Sequence, residues 1–432
     1  MRETRMEPTL RICGFTALVG GLCIISAALM PVAGQAPRTT GVTVYEGARL
    51  IDGNGGPAIE NAAFIVEGTR FAQVGRAGQL KIPAGAARVN LAGKTVMPAI
   101  IDTHMHVADT REAIVDQLRG KAYYGAGVVM SLGTDPGDLA FQVRDETLPN
   151  AARLRTAGRG ITMPEPGRTT VPYWITSEAE GRKAVQELAP RKVDFVKIWV
   201  DDRDGKYPKL TPALYGAVID EAHTLKLRVT AHIFSLEDAK GLLRAGIDAF
   251  AHSVRDRDLD DEFVAMMKAR PHVVLVPNLP DRGVAVDMGW LSETVPEAEL
   301  KKLQAAATDR PAAQQLFGIQ ARNLAKLNAA GVKIALGTDG SAVWSQHVEM
   351  ADMVAAGMTP AQVIVASTRT AAELLRVADA GVVEAGKSAD FVVLDANPLD
   401  DIANTRKISA TYLRGAAVDR AALRARWTAG AR

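Results

Sequence analysis

The sequence predicts an α/β protein: a TIM-like (β/α)8 barrel with a small β-sandwich domain formed from the N- and C-terminal segments. Eight short apolar runs alternate with amphipathic helical segments between residues 96 and 380, which is the order of a parallel barrel. Short strands and turns precede this region and return after it, which predicts a second, antiparallel unit. The chain has 432 residues, enough for one large domain and a smaller companion.

Residues 1–36 predict a signal peptide. Three arginines precede residue 12, an apolar stretch covers 12–30, and small residues around Gly34 resemble a cleavage site. The alternative is a membrane anchor that stays attached, because the apolar stretch is nearly long enough to span a bilayer. Cleavage is the favoured interpretation. It predicts a periplasmic or secreted protein without stable membrane insertion once the signal has been removed.

Composition narrows the classes of partner and ligand. The formal net charge is only +2, so no basic field indicates binding to nucleic acid. Both cysteines, Cys13 and Cys23, lie in the predicted signal peptide. A metal site in the mature chain must therefore use nitrogen and oxygen ligands. We expect a small-molecule substrate, and the sequence leaves a homo-oligomer open.

The two ends of the mature chain predict the β-sandwich, over residues 37–95 and 381–432. Apolar residues alternate with polar ones, or follow one another directly, in VTVYEGARLID and AAFIVEGTRFAQVG. A cluster of turn-forming residues lies at 52–56. A similar pattern returns in SADFVVLDANP and ATYLRGAAVD. We expect these segments to meet in one domain, with the barrel inserted between them.

The barrel is predicted over residues 96–380. An open, doubly wound sheet is the alternative, but no GxGxxG or GxxxxGK loop follows an early strand, which weakens a nucleotide-binding interpretation. The eight candidate strands are VMPAIID, GVVMSLG, LRTAG, FVKIWV, RVTAHI, AFAHSV, VVLVPN and KIALGTD.

Four of the seven histidines fall at the ends of these strands. His104 and His106 close the first strand, and residues two apart on a strand point the same way. His232 ends the fifth strand, His252 the sixth, and Asp339 the eighth. A single histidine at a strand end is usually a hydrogen-bonded core residue. Five such side chains at the carboxyl end of one barrel, where active sites are built, instead predict a metal site.

Lys197 lies in the middle of the fourth strand. Alternation puts Phe195, Lys197 and Trp199 on one face, which we expect to be the barrel interior. Burial favours the neutral form of a lysine, and a neutral amine reacts with carbon dioxide to give a carbamate. The alternative is an ordinary buried ion pair between Lys197 and an aspartate.

These motifs resemble the amidohydrolase superfamily, and within it the prolidase-like and imidazolonepropionase-like branch. The likeness rests on HMH in strand one, Lys197 in strand four, the histidines of strands five and six, and Asp339 after strand eight. It covers nearly all of the mature chain, including the ending GVVEAGKSADFVVLDANPLDDI. Lys197 indicates the binuclear, dipeptidase-like side of that branch.

The resemblance implies two divalent metal ions, and zinc suits the nitrogen and oxygen ligands. The histidines of strand one would share the first ion with Asp339, those of strands five and six would hold the second, and carboxylated Lys197 would bridge both. The implied ligands are His104, His106, Lys197, His232, His252 and Asp339.

The resemblance also implies a metal-dependent hydrolase of an amide-type C–N bond in a dipeptide, an N-acyl amino acid or a cyclic amide. A hydroxide shared by the two ions would attack the carbonyl, with Asp339 acting first as general base and then as general acid. A lactonase or esterase on the same centre is an alternative. A non-catalytic metal-binding relative is disfavoured, because all six ligand positions are present.

Substrate contacts are less well defined. Arg255 and Arg257, after strand six, are candidates for binding a carboxylate, although a surface network with neighbouring aspartates is the alternative. Tyr207 and Asn278 are further candidates, in the loops after strands four and seven. Prolidase-like relatives carry a histidine after strand three, whereas this chain has GRGITMPEPGRTTVPYW there. This departure weighs against an Xaa-Pro substrate.

Overall fold

The computed structural model describes residues 41–429, so the predicted signal peptide lies outside the described residues. Within this range strands and helices alternate along the chain. The strands are β1 (Val42–Leu50), β2 (Ile59–Glu67), β3 (Arg70–Arg76), β4 (Ala87–Asn90), β5 (Thr95–Pro98), β6 (Ile100–Met105), β7 (Ala126–Ser131), β8 (Arg153–Thr156), β9 (Ile161–Thr162), β10 (Tyr173–Trp174), β11 (Val196–Val200), β12 (Val229–Ile233), β13 (Ala249–Ala251), β14 (Val274–Val276), β15 (Lys333–Ile334), β16 (Phe391–Leu394), β17 (Ile408–Leu413) and β18 (Ala416–Ala417).

Most α-helices connect consecutive parallel strands. None of those within residues 41–429 combines the length and apolar character that a bilayer span requires. The helices are α1 (Arg111–Tyr123), α2 (Leu139–Arg144), α3 (Glu178–Leu188), α4 (Pro212–Thr224), α5 (Leu236–Ala245), α6 (Asp261–Lys268), α7 (Glu297–Ala306), α8 (Pro311–Ala329), α9 (Ser345–Ala355), α10 (Pro360–Ser367), α11 (Arg369–Leu375) and α12 (Arg420–Ala429).

Capping residues fix where the helices begin and end. Before α3, the Ser177 side chain accepts from the Glu180 amide, and the Glu180 carboxylate accepts from the Ser177 amide, so two free N–H groups are satisfied. After α5, the chain turns at Gly246 with φ +91°, a left-handed conformation that glycine adopts without steric cost. Both helix ends are therefore set by local hydrogen bonding and backbone conformation.

The terminal segments meet in one sheet, in the order β18-β17-β16-β5-β1-β2-β3, with β4 paired to β1. β5 lies at its centre, parallel to β1 and antiparallel to β16. The first predicted barrel strand, 96–102, is therefore divided. Its beginning belongs to this sheet as β5, and its end continues as β6 beside β7.

An aromatic cluster fills the inside of this sheet. The rings of Phe71 in β3 and Phe391 in β16 have centroids 5.8 Å apart. Four strand spacings separate β3 from β16, about 19 Å in a flat sheet, so the sheet curls over its own core. The Phe71 amide also donates to Lys387 O at 3.0 Å. The described pairing gives one continuous sheet, and a sandwich of two facing sheets stays a prediction.

All eight predicted parallel strands form, as β6, β7, β8 and β11 to β15. They pair in chain order within two sheets, β6-β7-β8 and β9-β11-β12-β13-β14-β15, and β10 extends the second sheet at β9. The register places Trp199 opposite His232 and His232 opposite Ala251. The carboxyl ends of these strands consequently lie at one edge.

Isolated hydrogen bonds join the two parallel sheets. On one side the Asp194 amide donates to Thr156 O at 3.1 Å, and on the other the Thr103 amide donates to Leu336 O at 3.0 Å. The third predicted strand breaks at Gly158, where φ is +61°, and the chain resumes as β9 against β11. The pairing is thus not one closed eight-stranded sheet, and barrel closure stays a prediction.

Candidate metal centre

The strand ends gather the predicted metal-site residues around one point. His104 belongs to β6 and His232 to β12, whereas His252 follows β13 and Asp339 lies beyond β15. His104, His232 and His252 are buried, and His106 and Asp339 are partly exposed. The centre therefore has a buried floor and an accessible side.

Three residues at this edge have left-handed backbone conformations. Their φ angles are +103° at His252, +44° at Asn278 and +51° at Asp339. Non-glycine residues with positive φ are uncommon, and such strain concentrates at functional sites. All three residues lie beyond strand ends and make contacts within the candidate site.

Asp339 is the meeting point of the first group. Its Oδ1 lies 3.1 Å from His104 Nε2 and 2.9 Å from His106 Nε2, and its Oδ2 lies 3.5 Å from His252 Nε2. Burial raises the pKa of Asp339, but His104, His106 and His252 lower it further, so the net pKa is far below the usual range. The carboxylate is ionised and surrounded by imidazoles.

The donor set around Asp339 fits a cation. His104 Nδ1 donates to Asn278 Oδ1 at 2.9 Å. In this tautomer His104 Nε2 carries the lone pair of the ring, and this atom lies next to the Asp339 carboxylate. Burial is the largest cause of the lowered pKa of His104, which favours the neutral ring. Ligand atoms of His104, His106 and Asp339 all lie within 4.8 Å of one another. A divalent metal ion suits such converging nitrogen and oxygen lone pairs.

A second pair of imidazoles lies beside the first group. The His232 and His252 ring centroids are 4.4 Å apart. His232 Nε2 donates to Asp201 Oδ2 at 2.8 Å, so its Nδ1 carries the lone pair. Burial lowers the pKa of His232 to about 3. His252 Nδ1 is buried and has no hydrogen-bond partner among residues 41–429. Both rings are neutral and available as ligands.

Lys197 is fully buried in β11. In the described part of the chain its Nζ has no hydrogen-bond partner, and no carboxylate lies within ion-pair distance, which weighs against the predicted alternative of a Lys–Asp pair. Burial lowers the pKa of Lys197 to about 7, and Asp339 only partly opposes this. Gly133 makes room for it, because a Cβ there would lie 2.6 Å from Lys197 Cγ.

An ion pair behind the centre has no counterpart among the predicted site residues. Lys121 Nζ donates to Asp102 Oδ2 at 2.8 Å, and both side chains are fully buried. Asp102 Oδ1 accepts from the amides of His104 at 3.2 Å and Thr338 at 3.1 Å. The pair thus ties together the two strand ends that carry His104 and Asp339. The only sequence feature that could have indicated this ion pair is the position of Asp102, two residues before His104.

The predicted substrate residues have different surroundings. Arg255 is partly buried, whereas the Arg257 side chain is exposed and its Nε donates to Asp256, which favours the surface-network alternative for Arg257. The Tyr207 hydroxyl donates to Pro166 O at 3.1 Å and joins two loops. Asn278 accepts from His104 and therefore orients a candidate metal ligand.

Comparison with known sequences decides the family. A profile of the amidohydrolase family matches residues 95–418, about three quarters of the chain and all of the site. The chain belongs to the amidohydrolase family. The prediction of a hydrolase acting on carbon–nitrogen bonds is confirmed with it.

Three relatives of this amidohydrolase illustrate the range of the family. It is 27% identical to an imidazolonepropionase of Deinococcus radiodurans over 83% of this chain and 92% of that protein. It is 25% identical to an ochratoxinase of Aspergillus niger over 84% and 82%. A prolidase-like structure from Bifidobacterium longum covers 90% of this chain and 99% of its own, with a TM-score of 0.73 and 26% identity.

Proposed function

We propose that this amidohydrolase is an exported enzyme that uses two divalent ions, zinc being the best suited, to hydrolyse an amide-type C–N bond. The substrate would be a dipeptide, an N-acyl amino acid or a cyclic amide. One observation carries the proposal: imidazole nitrogens of His104, His106 and His252 converge on the Asp339 carboxylate. In support, the buried Lys197 amine has no hydrogen-bond partner within residues 41–429. Such a set is costly to bury unless cations and a bridging anion complete it.

The proposed centre divides its ligands between two ions. His104, His106 and Asp339 would hold one ion, and His232 with His252 the other. The neutral Lys197 amine would attack the carbon of carbon dioxide, form an N–C bond and release one proton. Carboxylated Lys197 would complete the ligand set with its carbamate oxygens. When bound, the two ions supply the Lewis acidity that activates water and polarises a carbonyl.

The chain's own side chains position and move the proton. Asp339, which is ionised, would accept a proton from the attacking water and return it to the leaving nitrogen. Asn278 and Asp201 hold the rings of His104 and His232 in one tautomer each, so the ligating nitrogens need no reorganisation.

The relatives support the choice of bond, and the ester-cleaving alternative stays open to test. Similarity to an imidazolonepropionase supports a cyclic amide, and similarity to a prolidase-like structure supports a dipeptide. The same groups would open a lactone or another ester, which is the alternative. We further propose that the two parallel sheets form one closed barrel and that the curled terminal sheet forms the β-sandwich.

Two measurements test the proposed function. Elemental analysis of the purified chain is expected to give about two metal equivalents per molecule, and one equivalent would indicate a mononuclear mechanism instead. A hydrolysis screen of zinc-loaded protein against dipeptides, N-acyl amino acids, cyclic amides and lactones is expected to find amide cleavage. Cleavage confined to lactones or esters would favour the alternative, and inactivity on every class would refute the proposal.

Export is tested separately. We propose cleavage after the N-terminal apolar stretch, so N-terminal sequencing of protein recovered from the periplasm or medium is expected to begin near residue 37. An intact N-terminus in a membrane fraction would establish the anchor alternative.

A further inference from the structure

Two guanidinium groups lie beside the second imidazole pair, and the proposed metal centre uses neither. Arg203 follows β11, and Arg255 follows β13 three residues after His252. Arg203 Nη1 lies 3.1 Å from His232 Nε2, because both nitrogens converge on the Asp201 carboxylate. The two arginines therefore border the site on the side of strands four and six.

Arg203 is held rigidly. Its backbone is left-handed at φ +56°, a strained conformation that Asp201 Oδ1 supports by accepting from the Arg203 amide at 2.9 Å. Its guanidinium donates to Asp201 Oδ2 at 2.7 Å and to the buried Glu165 at 3.2 Å. Its Nη2 is buried and has no hydrogen-bond partner within residues 41–429. The two N–H donors of this terminal nitrogen thus remain to be satisfied.

Arg255 lacks a counter-ion. Its amide donates to Phe234 O at 2.8 Å, but its buried Nε has no hydrogen-bond partner in the described chain, where no carboxylate lies within 4.0 Å of it. Its charge contributes to the lowered pKa of His232 and His252, after burial, the main cause. The guanidinium is therefore close enough to both imidazoles to act on them electrostatically.

Arg255 is partly buried, and Asp339 and Asp201 act on its charge without pairing with it, so its guanidinium is incompletely compensated in the free protein. The flat, forked array of N–H donors matches the two oxygens of a carboxylate. We propose that Arg203 and Arg255 form a carboxylate-binding subsite next to the metal centre. Resting on the proposed function, this narrows the substrates to amides that carry a free carboxylate, such as dipeptides and N-acyl amino acids, rather than neutral amides.

Calorimetric binding tests the proposed carboxylate subsite independently of turnover. Metal-loaded full-length protein is titrated calorimetrically with N-acetyl amino acids covering the natural side chains, and with the matching N-acetyl amino acid amides. The best-bound carboxylates are expected to bind about ten- to a hundredfold more tightly than their amides, as charged hydrogen bonds imply. Equal affinities for every carboxylate and amide pair would overturn the subsite.

Variants assign the preference to these arginines. Arg255→Gln is expected to remove most of the carboxylate preference while leaving the binding of the amides unchanged, and Arg255→Lys to keep part of it. Arg203→Gln is expected to weaken it similarly, with metal content measured alongside because Arg203 shares Asp201 with His232. Arg322→Gln is the matched control, since Arg322 is exposed and pairs with Asp258. An equal loss for acids and amides in Arg255→Gln would refute the proposal.

The outcomes separate the subsite from the hydrolytic function. A carboxylate preference that depends on Arg255, without cleavage of any compound, would support the subsite and refute the hydrolase proposal for this panel. Cleavage of acids and amides with equal kcat/KM would support the hydrolase and overturn the subsite.

Discussion

The buried ion pair behind the candidate metal centre supplies a stability prediction. Lys121 Nζ donates to Asp102 Oδ2 at 2.8 Å, and to Ser345 Oγ and Gln346 Oε1 at 3.0 Å each. Lys121→Met keeps most of the side-chain volume but leaves the Asp102 carboxylate buried without a counter-ion. Removing one member of a buried pair costs about 3–5 kcal/mol.

The remaining partners of Asp102 set the magnitude within that range. Its carboxylate still accepts from the amides of His104 and Thr338 and from the Thr338 hydroxyl. Because these donors compensate part of the lost charge, we expect the free energy of unfolding to fall by the lower value, about 3 kcal/mol. The bound metal content is expected to fall as well, since Asp102 fixes the strand end that carries His104.

Equilibrium urea unfolding of the full chain, followed by tryptophan fluorescence, measures this change. The double variant Asp102→Asn with Lys121→Met removes both charges, and we expect it to recover more than half of the loss. The control is Lys333→Met, because Lys333 is half exposed and its pair with Glu373 spans 3.4 Å; a change below about 1 kcal/mol is expected there. A loss under about 1 kcal/mol in Lys121→Met would show that Asp102 does not depend on its counter-ion.

Four further predictions concern the site and its surroundings. Lys197→Ala is expected to lose most activity and one metal equivalent, with partial rescue by short carboxylic acids; an unchanged rate would exclude the carbamate. Asp339→Asn is expected to retain most of its metal but to abolish turnover, and substantial residual kcat would rule out its proton transfer. Asn278→Ala should weaken metal affinity about 10- to 100-fold in competition with a chelator, and unaltered affinity would contradict its role in orienting His104. Burial raises the pKa of Glu349 well above its usual value, with Asp352 adding to the effect. Protonated Glu349 therefore contributes its full share of the folding stability below the pKa that Glu349 has in the unfolded chain. This contribution is lost as pH rises through the pKa of Glu349 in the folded protein. Glu349→Gln should accordingly flatten the decline of the urea midpoint with rising pH, and an unchanged slope would disprove this.

The sequence predicts the parallel strands and the convergence of the imidazoles because both follow from periodicity. Alternation in β11 and the spacing of His104 and His106 fix which side chains share a face. Periodicity does not report which loops meet. The break at Gly158, the Asn278 hydrogen bond to His104 and the bracing of Arg203 by Asp201 all depend on contacts between segments far apart in sequence. For the same reason the sequence cannot distinguish Arg255, beside the site, from Arg257, on the surface.

The central place of β5 has a consequence for biosynthesis. β5 pairs with β16, and Pro98 lies opposite Phe391 in that pair. The pair cannot form until β16 has left the ribosome, near the end of translation. Closing such a long loop is entropically costly and slow. Until then the strand edge and the aromatic side chains of β1 to β3 have no cover, a state prone to intermolecular association. We therefore expect recombinant yield to depend on holdase chaperones, and chains truncated before residue 391 to accumulate in inclusion bodies.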